Sequence, residues 1–243
     1  PAQLPIWLKC DTGMHRLGFG SDELSVAVAR VRKFAAPLRY MTHFANAHIR
    51  GHPSVERQIE AFREMVGQDR NECSLANSGA LLSNRSARGS WVRPGLMLYG
   101  VSPLFGESAE ELGLAPVMTL RSQLISVRCV NRGDGVGYGG VFRCPEKMRI
   151  GVVAYGYGDG YPRNASTGTP ILVNGVRTQV IGQCSMDMMT VDLRPVPAAN
   201  IGDPVTLWGA GLPVEEVSLA CDTIPYELLC RARMRAMYEL CSP

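Results

Sequence analysis

Segments typical of strands and helices alternate regularly through the first 113 residues of this 243-residue chain. Each unit opens with a short apolar run and continues with apolar residues spaced as in an amphipathic helix. The predicted strands span residues 4–10, 39–45, 74–77 and 91–99. The predicted helices begin near Ser21 and Ser54. Repeated units of this size predict a parallel α/β sheet or barrel.

A closed barrel of this type needs eight strands and typically about 250 residues. Residues 1–113 supply only four strands, and an open half would leave two strand edges unpaired. The chain also begins with Pro1 and not with Met. We therefore expect residues 1–113 to form a partial (β/α) barrel that lacks its first strands.

The pattern changes after Leu114, where strand-like segments follow one another without long helices between them. These predicted strands span residues 117–130, 149–156, 170–173, 176–181, 188–193 and 204–208. Asn174-Gly175 separates two of them by two residues, which is a strong hairpin signal. Residues 226–240 are predicted to be helical. Residues 114–243 are thus expected to form a second, mainly β-strand domain.

Composition excludes several classes of function. A net charge of +3 without a basic block gives no sign of a nucleic-acid partner, and no apolar run is long enough for a membrane span. The eight cysteines form no Cys-x-x-Cys pair, and the four histidines form no ligand set, so no metal site is expected. Scattered cysteines without a disulfide framework favour free thiols and a cytoplasmic location.

Polar residues cluster where the predicted parallel strands end. They are Asp11, Arg16, His43, Asn46, Asn77, Ser78 and Arg93. Since the carboxyl ends of such strands meet at one face, these side chains are expected to line one site. In the second domain, a glycine-rich segment at 156–163 carries two tyrosines, and Asp187 follows Met186. Each motif alone could equally be a simple turn or a solvated acid.

Taken together, the motifs resemble the bacterial alanine racemases. The matching segments are residues 9–18, 42–45, 76–78, 92–95 with 99–100, 156–163, 185–187 and 225–227, in family order. The resemblance implies a pyridoxal 5'-phosphate enzyme with a TIM-like barrel followed by a β domain. It implies interconversion of L- and D-alanine by two-base proton transfer on a pyridoxal-phosphate aldimine. It also places residues 1–113 in the C-terminal half of the (β/α)8 barrel.

In the family, the lysine that holds the cofactor as a Schiff base lies in an Asn-Ala-Tyr-Gly-type motif ahead of these segments. Lys9, Lys33 and Lys147 are the only lysines here, and none has that context. We therefore expect the N-terminal portion with this lysine to be missing and the chain alone to be inactive. Lys9 instead matches a lysine that many relatives carry as a carbamate, so it is a candidate for carbamylation.

The resemblance assigns a role to each remaining site residue. Tyr157 is expected to be the base opposite the missing lysine, with His43 beside that base. Arg93, linked to His43, would face the pyridine nitrogen of the cofactor. The residues expected at the cofactor phosphate are Ser78, Gly95, Leu96 and Tyr226. Arg16 would contact both the phenolic oxygen of the cofactor and the substrate carboxylate.

Three of these residues also have a purely structural alternative. Tyr157 could be a packed aromatic residue, His43 a histidine of the core, and Gly95 a glycine that only ends a strand.

Tyr157, Met186 and Asp187 match residues that reach the substrate pocket from the partner subunit, which implies a homodimer with shared active sites. Two positions depart from the family pattern, because His48 replaces an acid and Gln183 replaces an arginine near the substrate entrance. These departures leave open a racemase of serine or of many amino acids. A further alternative is an inactive fragment that serves as an interaction module.

Overall fold

The structure is a computed structural model that describes residues 4–67, 72–232 and 235–240. Its chain divides into two compact units, Pro1–Leu114 and Ala115–Pro243. We call them unit 1 and unit 2. No helix in the described ranges is long and apolar enough to cross a membrane.

Unit 1 is a four-stranded parallel sheet with helices between its strands. In chain order its elements are β1 (Leu4–Lys9), α1 (Ser21–Val31), β2 (Ala35–Met41), α2 (Pro53–Val66), β3 (Cys73–Asn77), α3 (Ser78–Ser83) and β4 (Trp91–Arg93). The strand order is β1-β2-β3-β4, so each strand pairs with its neighbour in sequence. This half-barrel arrangement agrees with the alternating pattern of the sequence.

The core of unit 1 lies between the sheet and the helices. Leu8, Tyr40 and Ala76 of the strands belong to one cluster of buried side chains with Ile59 and Phe62 of α2. Because side chains alternate along a strand, the residues between these core positions face the opposite side of the sheet. Lys9 is one of them, so the core packing directs it away from the helices.

Two strand predictions in unit 1 were wrong at their ends. The strand predicted at 39–45 is Ala35–Met41, and the one predicted at 91–99 ends at Arg93. Pro94 cannot continue the ladder because it has no N–H group. After Gly95 the chain turns into a short 3₁₀ helix, Leu96–Tyr99. The turn brings Gly95 back toward the start of α3.

Unit 2 contains a six-stranded antiparallel sheet and a small two-stranded one. Its strands are β5 (Leu120–Val130), β6 (Gly135–Val136), β7 (Phe142–Arg143), β8 (Met148–Val153), β9 (Pro170–Val173), β10 (Val176–Gln179), β11 (Met189–Asp192) and β12 (Pro204–Trp208). The large sheet has the order β10-β9-β12-β5-β8-β11, and β6 pairs with β7. The predicted hairpin is confirmed, since Asn174 and Gly175 both have positive φ and Val173 pairs with Val176.

Two short helices close unit 2, α4 (Val214–Ala220) and α5 (Pro225–Arg231). The long helix predicted over 226–240 was wrong, because residues 235–240 are not helical. Residues 233–234 lie outside the described ranges. Instead of continuing α5, Arg235 binds the carboxylates of Asp159 and Asp187. The seven described cysteines are free thiols, and Cys241 lies outside the described residues.

Candidate active site

In unit 1, the loop after β1 is held closed by backbone hydrogen bonds. Phe19 N–H donates to the Lys9 carbonyl at 2.8 Å, and Asp11 N–H donates to the Phe19 carbonyl at 2.9 Å. Gly18 has φ +130°, and a Cβ there would lie 2.7 Å from the Asp11 nitrogen. Only glycine fits this close approach. The loop therefore presents Arg16, an exposed side chain, beside the end of β1.

Asp11 shapes this loop from within. Its Oδ1 accepts the backbone N–H groups of Gly13, Met14 and His15 at 3.0–3.2 Å. The bond from the His15 N–H is the largest cause that lowers the pKa of Asp11, so its carboxylate is ionised at neutral pH. Asp11 thus acts as a fixed acceptor for the loop that carries Arg16.

Arg93, at the end of β4, is held by oxygens of β3 and of Thr42, the residue that directly follows β2. Its Nη1 donates to the carbonyl oxygen of Ser74 at 2.8 Å and to the Ser74 hydroxyl at 2.6 Å. Its Nη2 donates to the carbonyl oxygens of Thr42 at 2.6 Å and Leu75 at 3.3 Å. Burial lowers the pKa of this guanidinium, which still stays charged at neutral pH. A cation is thus fixed at the strand ends.

His43 lies against this cation. Its Nδ1 is 3.3 Å from Arg93 Nη2. Burial is the largest cause that lowers the pKa of His43, and the charges of Arg93, Arg16 and Lys9 lower it further. The ring is therefore neutral at pH 7. Nη2 has two protons: one goes to the Thr42 carbonyl oxygen, and the other is shared between the Leu75 carbonyl oxygen and His43 Nδ1, both at 3.3 Å. Because a guanidinium can only donate, Nδ1 is an acceptor and the ring proton sits on Nε2.

The charges that act on His43 show that four predicted residues of unit 1 lie near one another. Lys9, Arg16 and Arg93 all lie near enough to act on His43. Three cationic side chains around a neutral imidazole form a positive region at the carboxyl ends of the strands, which favours an anionic ligand. Lys9 itself is partly exposed.

A second polar feature of unit 1 joins the start of α3 to the turn after β4. The Ser78 hydroxyl oxygen accepts the Gly95 N–H at 2.8 Å and the Met97 N–H at 3.5 Å. Its own proton is left for another acceptor. A Cβ added at Gly95 would meet no atom of the described residues within 4 Å, so there is open space beside this backbone. Leu96 itself is buried.

In unit 2, the glycine-rich loop lies flat against the segment that carries Met186. The N–H groups of Tyr157 and Gly158 donate to the carbonyl oxygens of Ser185 at 3.1 Å and Met186 at 2.7 Å. A Cβ at Gly156 would lie 2.3 Å from the Ser185 oxygen. The glycines are thus required by close backbone contact, and the two predicted motifs are neighbours in space.

Tyr157 presents its side chain at the edge of this loop, with 37% of its surface exposed. The guanidinium carbon of Arg163 lies 5.6 Å from the centre of its ring, and Arg163 Nη2 donates to Gln183 Oε1 at 3.4 Å. A cation at this distance from the ring is attracted to its face. Gln183, one of the two departures, is therefore connected to Tyr157 through Arg163.

Asp187 has a partner that the sequence did not suggest. Arg235 Nη1 lies 2.6 Å from Asp187 Oδ1 and 3.5 Å from Asp159 Oδ1. Asp159 also accepts the Gly156 N–H at 2.9 Å, so the pair connects both motifs. Asp187 and Arg235 are both about half exposed, and an ion pair of this kind stabilises the fold only weakly.

The remaining predicted residues occupy separate positions. Tyr226 lies on α5 of unit 2 and is half exposed, and partial burial raises the pKa of its phenol. His48 is exposed in the loop after β2, and its carbonyl oxygen accepts the Phe105 N–H at 2.7 Å. Met186 is also exposed.

Sequence reasoning missed two residues of unit 1 and one of unit 2. Gln58 and Ser74 are buried polar groups in elements whose pattern suggested only packing. Tyr138 sits in a short 3₁₀ turn between Gly137 and Gly139, which both have positive φ, and is 70% exposed. The glycine-flanked tyrosine was a visible signal of the same type as Tyr157.

Two family models match the chain. The model described as "Alanine racemase, N-terminal domain" matches residues 1–103, and "Alanine racemase, C-terminal domain" matches residues 117–239. Together they cover both units.

Curated relatives are similar over almost the whole chain. The biosynthetic alanine racemase of Pseudomonas aeruginosa is 50% identical over 234 residues, which are 96% of this chain and 65% of the relative. The alanine racemase of Thiobacillus denitrificans is 50% identical over 238 residues, 97% of this chain and 64% of the relative. The chain thus spans less than two thirds of the length of these relatives.

Solved structures give the same result. The crystal structure of the Pseudomonas aeruginosa protein matches with a TM-score of 0.93 at 50% identity, over 96% of this chain and 66% of that one. The alanine racemase of Bartonella henselae, solved with covalently bound pyridoxal phosphate, matches with a TM-score of 0.83 at 30% identity. The match covers 95% of this chain and 64% of that one.

These similarities bear on two earlier expectations. The N-terminal family model matches from residue 1, so it does not support the absence of an N-terminal portion with the Schiff-base lysine. Relatives about half identical are named alanine racemases, which gives no support to an inactive fragment or interaction module. With both domain models matched across its two units, the chain belongs to the alanine racemase family.

Proposed function

We propose that this chain carries the cofactor and substrate residues of an alanine racemase, an isomerase that interconverts L- and D-alanine with pyridoxal 5'-phosphate. The observation that supports this most directly is the neutral His43 bound to a fixed Arg93 cation at the strand ends of unit 1. The Ser78–Gly95 contact lies in the same unit and joins the residue directly after β3 to the turn after β4.

The residues present fit this cofactor. Ser78 has a hydroxyl proton to donate, and the open space beside Gly95 would admit a phosphate oxygen close to backbone N–H groups. The resemblance adds Tyr226 of unit 2, which is half exposed, as a further phosphate ligand. The positive charges of Arg16 and Arg93 favour the anionic groups of the cofactor.

When bound, pyridoxal phosphate withdraws electrons from the amino acid and makes its α-proton acidic. Arg93 would face the pyridine nitrogen. Because a guanidinium does not give up its proton, it keeps that nitrogen unprotonated and limits electron withdrawal into the ring. Its hydrogen bonds to Ser74 and Thr42 hold it in this orientation. Such tuning disfavours transamination as a side reaction.

Racemisation needs a base on each side of the substrate α-carbon. One base in our proposal is a tyrosine of unit 2, and the resemblance assigns this role to Tyr157. Tyr138 is a second candidate because it is more exposed and lies in a loop shaped by glycines. An ordinary phenol has a pKa of about 10, so either tyrosine needs a nearby cation to act at neutral pH. The Arg163 guanidinium carbon lies 5.6 Å from the centre of the Tyr157 ring.

Arg16 would bind the substrate carboxylate and the phenolic oxygen of the cofactor. Lys9 lies close enough to influence the same region. A carbamate on Lys9 would replace its positive charge with a negative one and could orient the Arg16 guanidinium. Intact-mass measurement in bicarbonate buffer tests this, and an unmodified Lys9 at all bicarbonate concentrations would contradict it.

We infer that the lysine holding the cofactor lies outside these 243 residues, since Lys9, Lys33 and Lys147 lack the family motif. We also infer a homodimer in which Met186 and Asp187 serve the active site of the other subunit. Such an isologous arrangement uses the same surfaces on both copies. A cytoplasmic location remains a prediction.

The activity test uses the chain extended by the part of the Pseudomonas aeruginosa protein that it does not match. We expect racemisation of alanine in both directions. Replacing the tyrosine base by Phe should abolish racemisation but leave exchange of the α-proton of one enantiomer with solvent deuterium. Tyr157→Phe and Tyr138→Phe are measured side by side. Full racemisation in both variants would contradict a tyrosine base.

A racemase of serine or of several amino acids is the second candidate, favoured by the bond between Arg163 and Gln183, where many relatives have an arginine. We expect His48→Asp with Gln183→Arg to narrow the range of amino acids accepted. If the double variant has unchanged kinetics across a panel of amino acids, this second candidate function is wrong.

A further inference from the structure

Gln58 is a buried polar side chain in the middle of α2, on the face that otherwise packs into the core. Its neighbours on that face, Val55, Ile59 and Phe62, are apolar, and Gln58 is only 3% exposed. A buried amide destabilises the fold unless its donors and acceptor are hydrogen-bonded. Its bonding partners therefore show why a glutamine occupies this position.

Both ends of the amide bind the segment that carries His43. Gln58 Nε2 donates to the His43 carbonyl oxygen at 3.0 Å, and Gln58 Oε1 accepts the Ala45 N–H at 3.0 Å. The second Nε2 proton goes to the Thr12 hydroxyl at 3.2 Å. Thr12 belongs to the loop that carries Arg16. One side chain thus connects the loops that follow β1 and β2.

The connection continues through two threonine hydroxyls. Thr12 Oγ1 and Thr42 Oγ1 are 2.7 Å apart, and Thr42 Oγ1 donates to the Cys10 carbonyl oxygen at 3.0 Å. Since Thr12 accepts from Gln58, its proton goes to Thr42, whose own proton goes to Cys10. Each hydroxyl therefore has one donor and one acceptor role. The carbonyl oxygen of Thr42 in turn accepts from Arg93.

We propose that Gln58 is a positioning residue, which holds the backbone of His43 in register with the loop of Arg16 and with the Arg93 guanidinium. Hydrogen-bond networks of buried groups fix a single arrangement when every member is satisfied. The role in racemisation rests on the proposed function, whereas the structural role of Gln58 does not. Gln58 itself need not touch substrate or cofactor.

The test is an NMR titration of the His43 imidazole in the 243-residue chain. Gln58→Met keeps a long unbranched side chain but removes all three hydrogen bonds. Loosening the segment should admit water to His43 and move it away from Arg93, Arg16 and Lys9. We expect the titration midpoint to rise toward the ordinary histidine value of about 6.5.

Ile59→Val is the matched control, because Ile59 is the next residue of α2, is fully buried and loses only packing. It should lower the melting temperature but leave the His43 midpoint unchanged. Thr12→Val, which breaks the network at the adjoining loop, should move the midpoint in the same direction as Gln58→Met and keeps the proposal testable if that variant does not fold. An unchanged midpoint in the folded network variants, or an equal rise in Ile59→Val, would overturn the proposal.

The same variants are then assayed in the extended chain, where Gln58→Met should lower kcat more than it raises KM. A shifted His43 midpoint in a protein without racemase activity would refute the proposed function alone. Racemase activity with an unchanged midpoint would refute the positioning role alone.

Discussion

At the residue scale, the fixed pair of Arg93 and His43 determines the chemistry available in unit 1. The guanidinium binds three backbone carbonyl oxygens and one hydroxyl, and no carboxylate is among these contacts in the described residues. Its charge is therefore directed at the site and is not cancelled by an ion pair. Burial, and then this charge, lower the pKa of His43 and keep its ring neutral with Nδ1 as an acceptor.

Replacing Arg93 by Lys tests this arrangement. Lysine keeps the positive charge but cannot reproduce the fork that binds Ser74, Thr42 and Leu75. We expect the free energy of unfolding to fall by about 2 kcal/mol, because hydrogen bonds from a charged group contribute about 1.5–3 kcal/mol each and lysine recovers part of them. Urea denaturation of the two proteins measures this difference in the free energy of unfolding.

Arg57→Lys is the control, since Arg57 is an exposed arginine on α2 of the same unit. For Arg57→Lys we expect the free energy of unfolding to change by less than about 0.5 kcal/mol. Equal losses in the two variants would mean that the Arg93 contacts contribute nothing specific.

At the element scale, the loop of Gly156 to Gly160 joins two motifs that are distant in sequence. Its N–H groups bind the carbonyl oxygens of Ser185 and Met186, and Gly160, at φ +103°, lies against the Arg231 carbonyl at the end of α5. Without side chains at these positions, three segments can approach one another. This contact sets where Tyr157 and Met186 stand.

Gly156→Ala should disrupt this contact. Its φ is −147°, which any residue adopts, so only space opposes the new Cβ, which would lie 2.3 Å from the Ser185 oxygen. We expect the free energy of unfolding to fall by at least about 3 kcal/mol, which is the upper end of the effects of overpacking a core. Gly158→Ala is the graded comparison, with its nearest contact at 3.0 Å. A thermal unfolding series that places the two variants at the same stability would contradict this explanation.

The sequence pattern was sufficient to locate the elements that have strong local signals. The strands Pro170–Val173 and Pro204–Trp208 and the Asn174-Gly175 turn lie where they were predicted. Helices α3 and α4 were missed because six or seven residues show too little periodicity to be recognised.

The candidate site was partly predictable for a similar reason. Motif residues such as His43 and Arg93 stand out by type, and the structure brings them into contact. Gln58 does not stand out, because a polar residue on an amphipathic helix looks solvent-exposed until tertiary contacts bury it. Arg235 was missed because its partners, Asp159 and Asp187, are distant in sequence.

At the scale of the whole molecule, the parallel sheet of unit 1 exposes apolar residues on its edge strands. In unit 1 the described strands leave β1 and β4 at the edges of a parallel sheet. Leu4 on β1 is 61% exposed, and Trp91 and Val92 on β4 are also exposed. Open apolar edges of this kind favour pairing with other strands.

We therefore expect the 243-residue chain to self-associate through β1. The apparent mass in size-exclusion chromatography should rise with concentration, and Leu4→Lys should weaken the association, since charge on an edge strand opposes pairing. Val117→Lys, at an exposed apolar position of unit 2 outside its strands, is the control. Association that is equally sensitive to both variants, or insensitive to Leu4→Lys, would show that the β1 edge is not responsible.

The most direct measurement of the central claim compares the binding of pyridoxal 5'-phosphate and of pyridoxal, which lacks the phosphate, by titration calorimetry. In Ser78→Ala we expect the Kd for the phosphate form to rise about tenfold, corresponding to about 1.4 kcal/mol, with the Kd for pyridoxal unchanged. Ser83→Ala, at the other end of α3, should leave both constants unchanged. Equal affinity of the wild-type chain for the two ligands, or no effect of Ser78→Ala, would contradict a phosphate site at the Ser78–Gly95 contact.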